Sequence, residues 1–166
     1  MPVKTKPHTL NELFVEELKD MYDGEKQLVR ALPKLAKTAT NSDLKKGIND
    51  HLTQTEEHVA RIERIFGMLD LKAQGKKCEG IQGILSEGKV SLEDCDDDNV
   101  RDASLIASAQ KVEHYEIASY GTLHAWANQL GMDEAGALLQ KTLDEEKRAD
   151  AKLSEVAEQM VNVAAL

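Results

Sequence analysis

The chain has 166 residues, 41% hydrophobic, only 4% aromatic and 31% charged, with a formal net charge of −9 at pH 7. That length predicts one domain with a substantial core, and the abundance of Ala, Leu, Glu and Lys favours helices over sheet. The acidic balance argues against non-specific nucleic acid binding, which needs a basic surface, and no apolar run approaches the roughly 20 residues that span a bilayer.

Residues 1–8 are basic but contain no apolar signal core. Two cysteines, Cys78 and Cys95, are too few for a disulfide framework or a zinc knot, so a reduced, cytoplasmic protein is predicted. The first predicted helix opens at Thr9, where Thr9 and Glu12 have the spacing of a capping box. Its apolar stripe reads Leu10, Phe14, Leu18, Met21, Leu28, Leu32, Leu35, and Glu25 interrupts that stripe at its centre. Pro33 is predicted to kink the last turns without ending the helix, because Leu35 and Ala36 keep the phase.

The polar turn Thr40-Asn41-Ser42-Asp43 closes this helix and caps the next. The second helix is predicted from about Asp43 to Leu69, with Ile48, Leu52, Thr55, Val59, Ile62, Phe66 and Leu69 as its stripe. His51 and His58 lie on the edge of the stripe, Gln54 lies further round, and Glu57 faces solvent. From Leu71 to Asn99 the pattern is broken by Gly75, Gly80, Gly83 and Gly88, and Ile81, Ile84 and Leu85 allow one short helix. A connection this long, after a tight hairpin, can cross a bundle end to end. The acidic run Glu93-Asp94-Cys95-Asp96-Asp97-Asp98 lacks the glycine and spaced acid of a calcium loop, and reads as a solvated loop and helix cap.

The third long helix is predicted from about Val100 to Leu130, stopped by Gly131. Its stripe, Leu105, Ile106, Ala109, Val112, Ile117, Tyr120, Leu123 and Ala127, encloses Glu113 and Glu116. His114 and Tyr115 project away from the stripe and are predicted to be surface residues. Tyr120 suits plain core packing, with a donor or redox role beside Glu116 as the other reading. The fourth helix, from about Asp133 to Val163, has the stripe Leu138, Leu139, Thr142, Ala149, Leu153, Val156, Ala157, Met160. Glu146 stands at its centre and Asp150 on its edge one turn later.

Two acids one turn apart on a buried face repel each other and lose hydration, at a cost of several kcal/mol. If the hairpins turn near residues 41 and 131, Glu25 comes level with the neighbourhood of residue 57, and Glu116 with Glu146. Singly, an inward glutamate more often snorkels to solvent, and a lone buried histidine is ordinary. Acids on three helices at one level, with imidazoles on the fourth, point instead to divalent metal. Oxygen ligands with one or two imidazoles suit iron or manganese better than a closed zinc site. The candidate ligands are Glu25, His51, Gln54, His58, Glu113, Glu116, Glu146 and Asp150. Glu25 and Glu146 are placed as terminal ligands, Glu113 and Glu116 as binding or bridging ones, and Gln54 and Asp150 as weaker members or supports.

Glu113-His114-Tyr115-Glu116 resembles the third-helix segment of rubrerythrins, whose paired glutamates bind a di-iron centre. More closely, Gly24-Glu25-Lys26-Gln27-Leu28, His51-Leu52, the run Gln110 to Tyr120 and Glu145-Glu146-Lys147 resemble the bacterial YciE/YciF stress-protein family. The likeness covers nearly the whole chain, including the segment around Cys78. It implies an all-α, ferritin-like antiparallel four-helix bundle with a long crossover containing a short fifth helix, commonly paired as a homodimer. It also implies stress association and a site for two iron ions, or manganese, acting on oxygen or peroxide. The second helix departs from the family pattern. Gln54-Thr55 stands where relatives tend to have Glu-Thr, and His58 where they tend to have Gln, so the usual bridging carboxylate is missing there. The departure leaves a mono-metal site, or a non-catalytic dimeric scaffold with a degenerate site, as the alternative. No CxxC pairs signal a rubredoxin-type domain, and nothing signals assembly into an iron-storage shell.

Overall fold

Helix caps set the frame of the structure, a computed structural model that describes residues 6–166. Thr9 and Glu12 form the expected capping box: Thr9 Oγ1 accepts the Glu12 N–H and Glu12 Oε2 accepts the Thr9 N–H, each at 3.2 Å. Helix α1 spans Leu10–Thr38 and carries Pro33 inside it without ending. Helix α2, Ser42–Met68, starts at Asn41, whose side chain accepts the N–H groups of Asp43 and Leu44. Helix α3 is Glu79–Glu93, α4 is Asp98–Gln129 and α5 is Asp133–Val156. Gly131 adopts φ +70, the left-handed conformation that closes the α4–α5 hairpin and that glycine enters without Cβ strain.

The hairpins α1–α2 and α4–α5 pack against each other, α1 on α4 and α2 on α5, while α3 lies across α1 and α4. This is the predicted all-helical four-helix bundle with a crossover helix. The crossover is tied down at several points. Gly80 lets α3 approach α4 closely, since a Cβ there would run into the Tyr115 ring. Asp102, buried near the start of α4, accepts the backbone N–H groups of Thr40 at 2.9 Å and Asn41 at 2.6 Å, fixing the α1–α2 turn to the crossover's far end. Among the described residues no helix is long and apolar enough to cross a membrane.

Three local expectations need correction. The crossover helix takes up Glu93 and leaves less of the acidic run in the loop; Asp97 caps α4 by accepting from Asn99 and Val100. The final helix gives way to a π-helical turn, Ala157–Val161, before the last α-helical turn, Asn162–Ala164. A π turn shifts the helix face by about one residue, so Val161 is buried while Met160, placed in the stripe from sequence, is 41% exposed. Tyr115 is half-buried rather than on the surface, because α3 covers that flank of α4. Its hydroxyl donates to Asp20 Oδ2 at 3.0 Å and lies 3.4 Å from Cys78 Sγ.

The core falls into two apolar clusters. One gathers Phe14, Leu18, Met21, Ile62, Phe66 and Leu123; the other gathers Leu28, Leu32, Leu44, Ile48, Ile81 and Leu105. Each such side chain stabilises the fold by about 1.5–3 kcal/mol on burial. Along α1 the two clusters are separated by Glu25, along α2 by His51 and His58, along α4 by Glu113 and Glu116, and along α5 by Glu146. A polar layer therefore crosses the middle of the bundle.

Candidate metal centre

Every carboxylate in this layer arises from the same local cause, an acid placed on the inward face of a long helix. Glu25, Glu116 and Glu146 are wholly buried and Glu113 is 2% exposed; His58 is wholly buried and His51 nearly so. Their ligand atoms converge into two overlapping groups, each within a 4.8 Å span. Glu25, His58, Glu116 and Glu146 form the first, and His51, Glu113, Glu116 and Glu146 the second. Glu116 and Glu146 belong to both, so the shared carboxylates come from α4 and α5. Glu146, expected as a terminal ligand, thus stands between the two positions.

The atoms lie close together without satisfying one another. His58 Nδ1 lies 3.0 Å from Glu146 Oε1 and 3.3 Å from Glu25 Oε1, and His51 Nε2 lies 3.3 Å from Glu113 Oε1. Among the described residues neither nitrogen finds a hydrogen-bond partner, and neither does either oxygen of Glu116 or of Glu146, or one oxygen each of Glu25 and Glu113. Buried acceptors without donors are costly. A pair of divalent cations would satisfy them, and four carboxylates against two such ions leave no net charge. The donor set fits iron or manganese: each position receives three carboxylates and one imidazole.

Electrostatics without a cation show the same need. Burial pushes the Glu113 and Glu116 carboxyls well above the ordinary carboxylate range, and the nearby charges of Glu146 and Glu25 add to it. Burial opposes a charge on Glu146 as well, but contacts with Glu113 and His58 and the histidine charges outweigh it and hold that group at about 2. Burial also disfavours a charged His58, yet Glu145, Glu146 and Glu25 around the ring raise it to about 11. Without a metal, the acids around His58 favour its charged form.

Asp150 stays outside both groups, and Gln54, half-buried, lines the same cavity as His51 and Glu113. Asp150 is drawn outward, accepting from Gln110 Nε2 at 3.1 Å and facing the exposed His114 Nε2 at 3.2 Å. Edge positions on a wide helix stripe leave the inward direction to their neighbours one turn away.

Arg61 and Glu145 are not singled out as site residues in the sequence, whereas Tyr120 takes up the donor role, its second reading, toward Glu25. Glu145 Oε2 lies 2.9 Å from His58 Nε2, and both Glu145 oxygens accept from the Arg61 guanidinium, at 2.6 and 3.0 Å. Arg61 also donates to Thr142 Oγ1 at 3.0 Å and to Glu57 Oε2 at 3.1 Å. The pairing holds Glu145 at about 2 in spite of its burial. Tyr120, wholly buried, donates its hydroxyl to Glu25 Oε1 and packs edge-on to His58. The available signals were the i, i+4 pair Glu57–Arg61 and the doubled acid Glu145-Glu146, neither of which alone distinguishes a buried network from a solvated face.

An antiparallel four-helix bundle with a crossover helix and a buried carboxylate–histidine layer defines the class of protein. The chain belongs to the family described as Domain of unknown function (DUF892), whose profile matches residues 9–166. It is 44% identical over 155 residues to Protein YciF of Escherichia coli, covering 93% of each chain. The crystal structure of that stress protein superposes with a TM-score of 0.89 over 94% of this chain and 99% of its own. YcfI of Rhodopseudomonas palustris superposes at 0.88, with 40% identity over 93% and 97% of the two chains. A Xanthomonas campestris protein superposes at 0.75 with 25% identity, over 93% and 95%.

Proposed function

We propose that this chain is a stress-associated, ferritin-like protein that holds two iron or manganese ions in its polar layer and uses them on peroxide or oxygen. The observation that carries the reading is the set of converging, unpartnered ligand atoms shared between two positions through Glu116 and Glu146. Held by Glu25, His51, His58, Glu113, Glu116 and Glu146, such a pair of ions would supply the two electrons that reduce peroxide, with two protons, to two waters, and an external donor would have to return those electrons.

The chain's own residues arrange this. Glu145, anchored by Arg61, accepts the His58 Nε2 proton and so leaves the Nδ1 lone pair directed into the site. Tyr120 holds one oxygen of Glu25, which orients the other inward. The apolar clusters on either side lower the local dielectric and strengthen the charge interactions within the layer. The likeness to the E. coli stress protein supports the stress association, and a cytoplasmic homodimer is the setting proposed for it.

Anaerobic titration of the metal-free protein with Fe²⁺, followed by peroxide, tests the reading. Two ions per chain and oxidation on peroxide addition are expected. Uptake below one ion per chain, unaffected by Glu113→Ala, would overturn it. A melting temperature indifferent to chelators would point instead to the non-catalytic dimeric scaffold.

A further inference from the structure

Beside the polar layer the bundle is not filled. A cavity of about 1100 Å³ follows α1 from Gln27 to Thr38, with further walls from α2, α3, α4 and α5. That stretch of α1 is roughly 16 Å long at the helical rise per residue. It is open to solvent along its outer side, and sites for small organic ligands occupy about 300–1,000 Å³. The lining is largely aliphatic, with Leu28, Leu32, Ile48, Leu105, Val112 and Val156 as its buried part. Its inner end reaches His51 and Glu113, the members of the second cation position that the first does not share. Neither ring nitrogen of His51 has a hydrogen-bond partner, although the residue is only 8% exposed.

Two neighbouring cations stand on the α1 side of the outer lining. Arg30 and Lys34, one turn apart on α1, are exposed and their side chains make no ion pair among the described residues. Of the acids on the same lining, Asp50 is paired with Lys46 at 2.5 Å and Glu93 with Lys89 at 3.7 Å, while Asp43 and Asp96 stand on α2 and in the α3–α4 connection, away from α1. In a chain with a net charge of −9, two neighbouring uncompensated cations beside an aliphatic cavity select an anionic head on an apolar tail.

We infer that the cavity binds a long-chain aliphatic monocarboxylate, its head on Arg30 and Lys34 and its tail among the leucines with its end toward His51 and Glu113. This names an organic ligand class for the site; its placement beside a metal rests on the function proposed above. A head fixed at the outer cations would bring the far end of the chain, not the carboxylate, to the second cation position.

Calorimetry with myristate below its micelle concentration, on the full chain kept metal-free by chelator, tests the inference. Saturable binding of one myristate per chain is expected, with the trimethylammonium surfactant of the same tail binding at least about tenfold more weakly. Arg30→Glu with Lys34→Glu is expected to weaken myristate by at least about tenfold, while folding is retained because both side chains are exposed. Ala109→Phe, which projects a ring from the lining into the cavity, is expected to abolish binding. Absence of saturable heat, equal affinity for the cationic surfactant, or indifference to the charge reversal would overturn it. So would light scattering that shows a dimer excluding myristate and broken by the same charge reversal, which would assign the cavity to a second copy of the chain. Because the assay is metal-free, myristate binding without metal uptake sinks only the metal reading, and metal uptake without myristate binding sinks only this one.

Discussion

The two cation positions share Glu116 and Glu146 but are built differently around their private ligands. The first is closed. His58 is wholly buried, backed by Glu145 and through it by Arg61, and Glu25 is held by Tyr120. The second opens on the cavity. His51 has no hydrogen-bond partner at either ring nitrogen, and one Glu113 oxygen is unpartnered. Fixed ligands lose little freedom when they bind a metal, whereas free ones must be ordered at that moment. The closed position is therefore expected to fill first and exchange slowly, and the open one to be the place where a small molecule meets the pair.

Removing what the positions share should have the largest effect. Glu116→Ala is expected to abolish metal uptake at both positions. At metal concentrations about a thousandfold above the dissociation constant, a bound ion stabilises the fold by about 4 kcal/mol, or about 8–16 °C in melting temperature for a chain of this size. Differential scanning calorimetry with and without Fe²⁺ should show that increment in the parent and not in the variant. The metal-free variant should be no less stable than the parent, because the acid it loses is buried without a partner. Retention of the full increment in Glu116→Ala would break the picture of a shared bridge.

The same ligands set the response to pH. Glu113 and Glu116 are held above the ordinary carboxylate range, chiefly by burial, and His58 is raised to about 11 by its acidic neighbours. All of these groups must give up a proton to ligate, so uptake should release protons and affinity should rise with pH. A pH-stat titration that shows no proton release near neutrality would contradict the assignment of these residues as ligands.

Truncating the private histidines should separate the positions. His58→Ala leaves Glu25, Glu145 and Glu146 without their central cation, and loss of one partner from a buried charge network costs about 3 kcal/mol or more. His51→Ala should cost about 1 kcal/mol, the ordinary size for a substitution without a network. Urea unfolding of the metal-free variants measures both. Metal analysis should then find the closed position lost in the first variant and only the open one in the second; equal costs would erase the difference between them.

Much of this architecture can be read from periodicity. Glu25, Glu113, Glu116 and Glu146 are legible because each breaks a long apolar stripe, and antiparallel hairpins with short turns fix their level. The bundle follows from the same stripes, from Thr9, Asn41 and Gly131 at the helix ends, and from the long crossover. What lies at stripe edges is less legible. Asp150 has nearly the same helical phase as true inward residues, and its contacts with Gln110 and His114 draw it outward. Tyr115 is covered by α3, whose position depends on contacts distant in sequence, such as that between Gly80 and the Tyr115 ring. Arg61 and Glu145 look like ordinary surface charges until α2 and α5 are brought together.

Glu145→Gln tests the buttress itself. The amide keeps the shape but loses the charge that pairs with Arg61 and fixes His58, and changes of this kind typically lower metal affinity by about 10–100-fold. Competition with a chromophoric chelator should show that loss at the closed position alone.

The smallest effect should come from the residues that a stripe-edge reading places in the site. Gln54→Ala removes a half-buried amide that lines the cavity. Asp150→Ala removes a carboxylate whose partners, Gln110 and the exposed His114, lie on the outer side of the α4–α5 pair. Each should change stability by less than about 0.5 kcal/mol and leave metal stoichiometry at the parent value. A lost ion in Gln54→Ala would mean that α2 swings its amide inward when metal binds. The two positions would then differ in when they are assembled, not only in how firmly they are held.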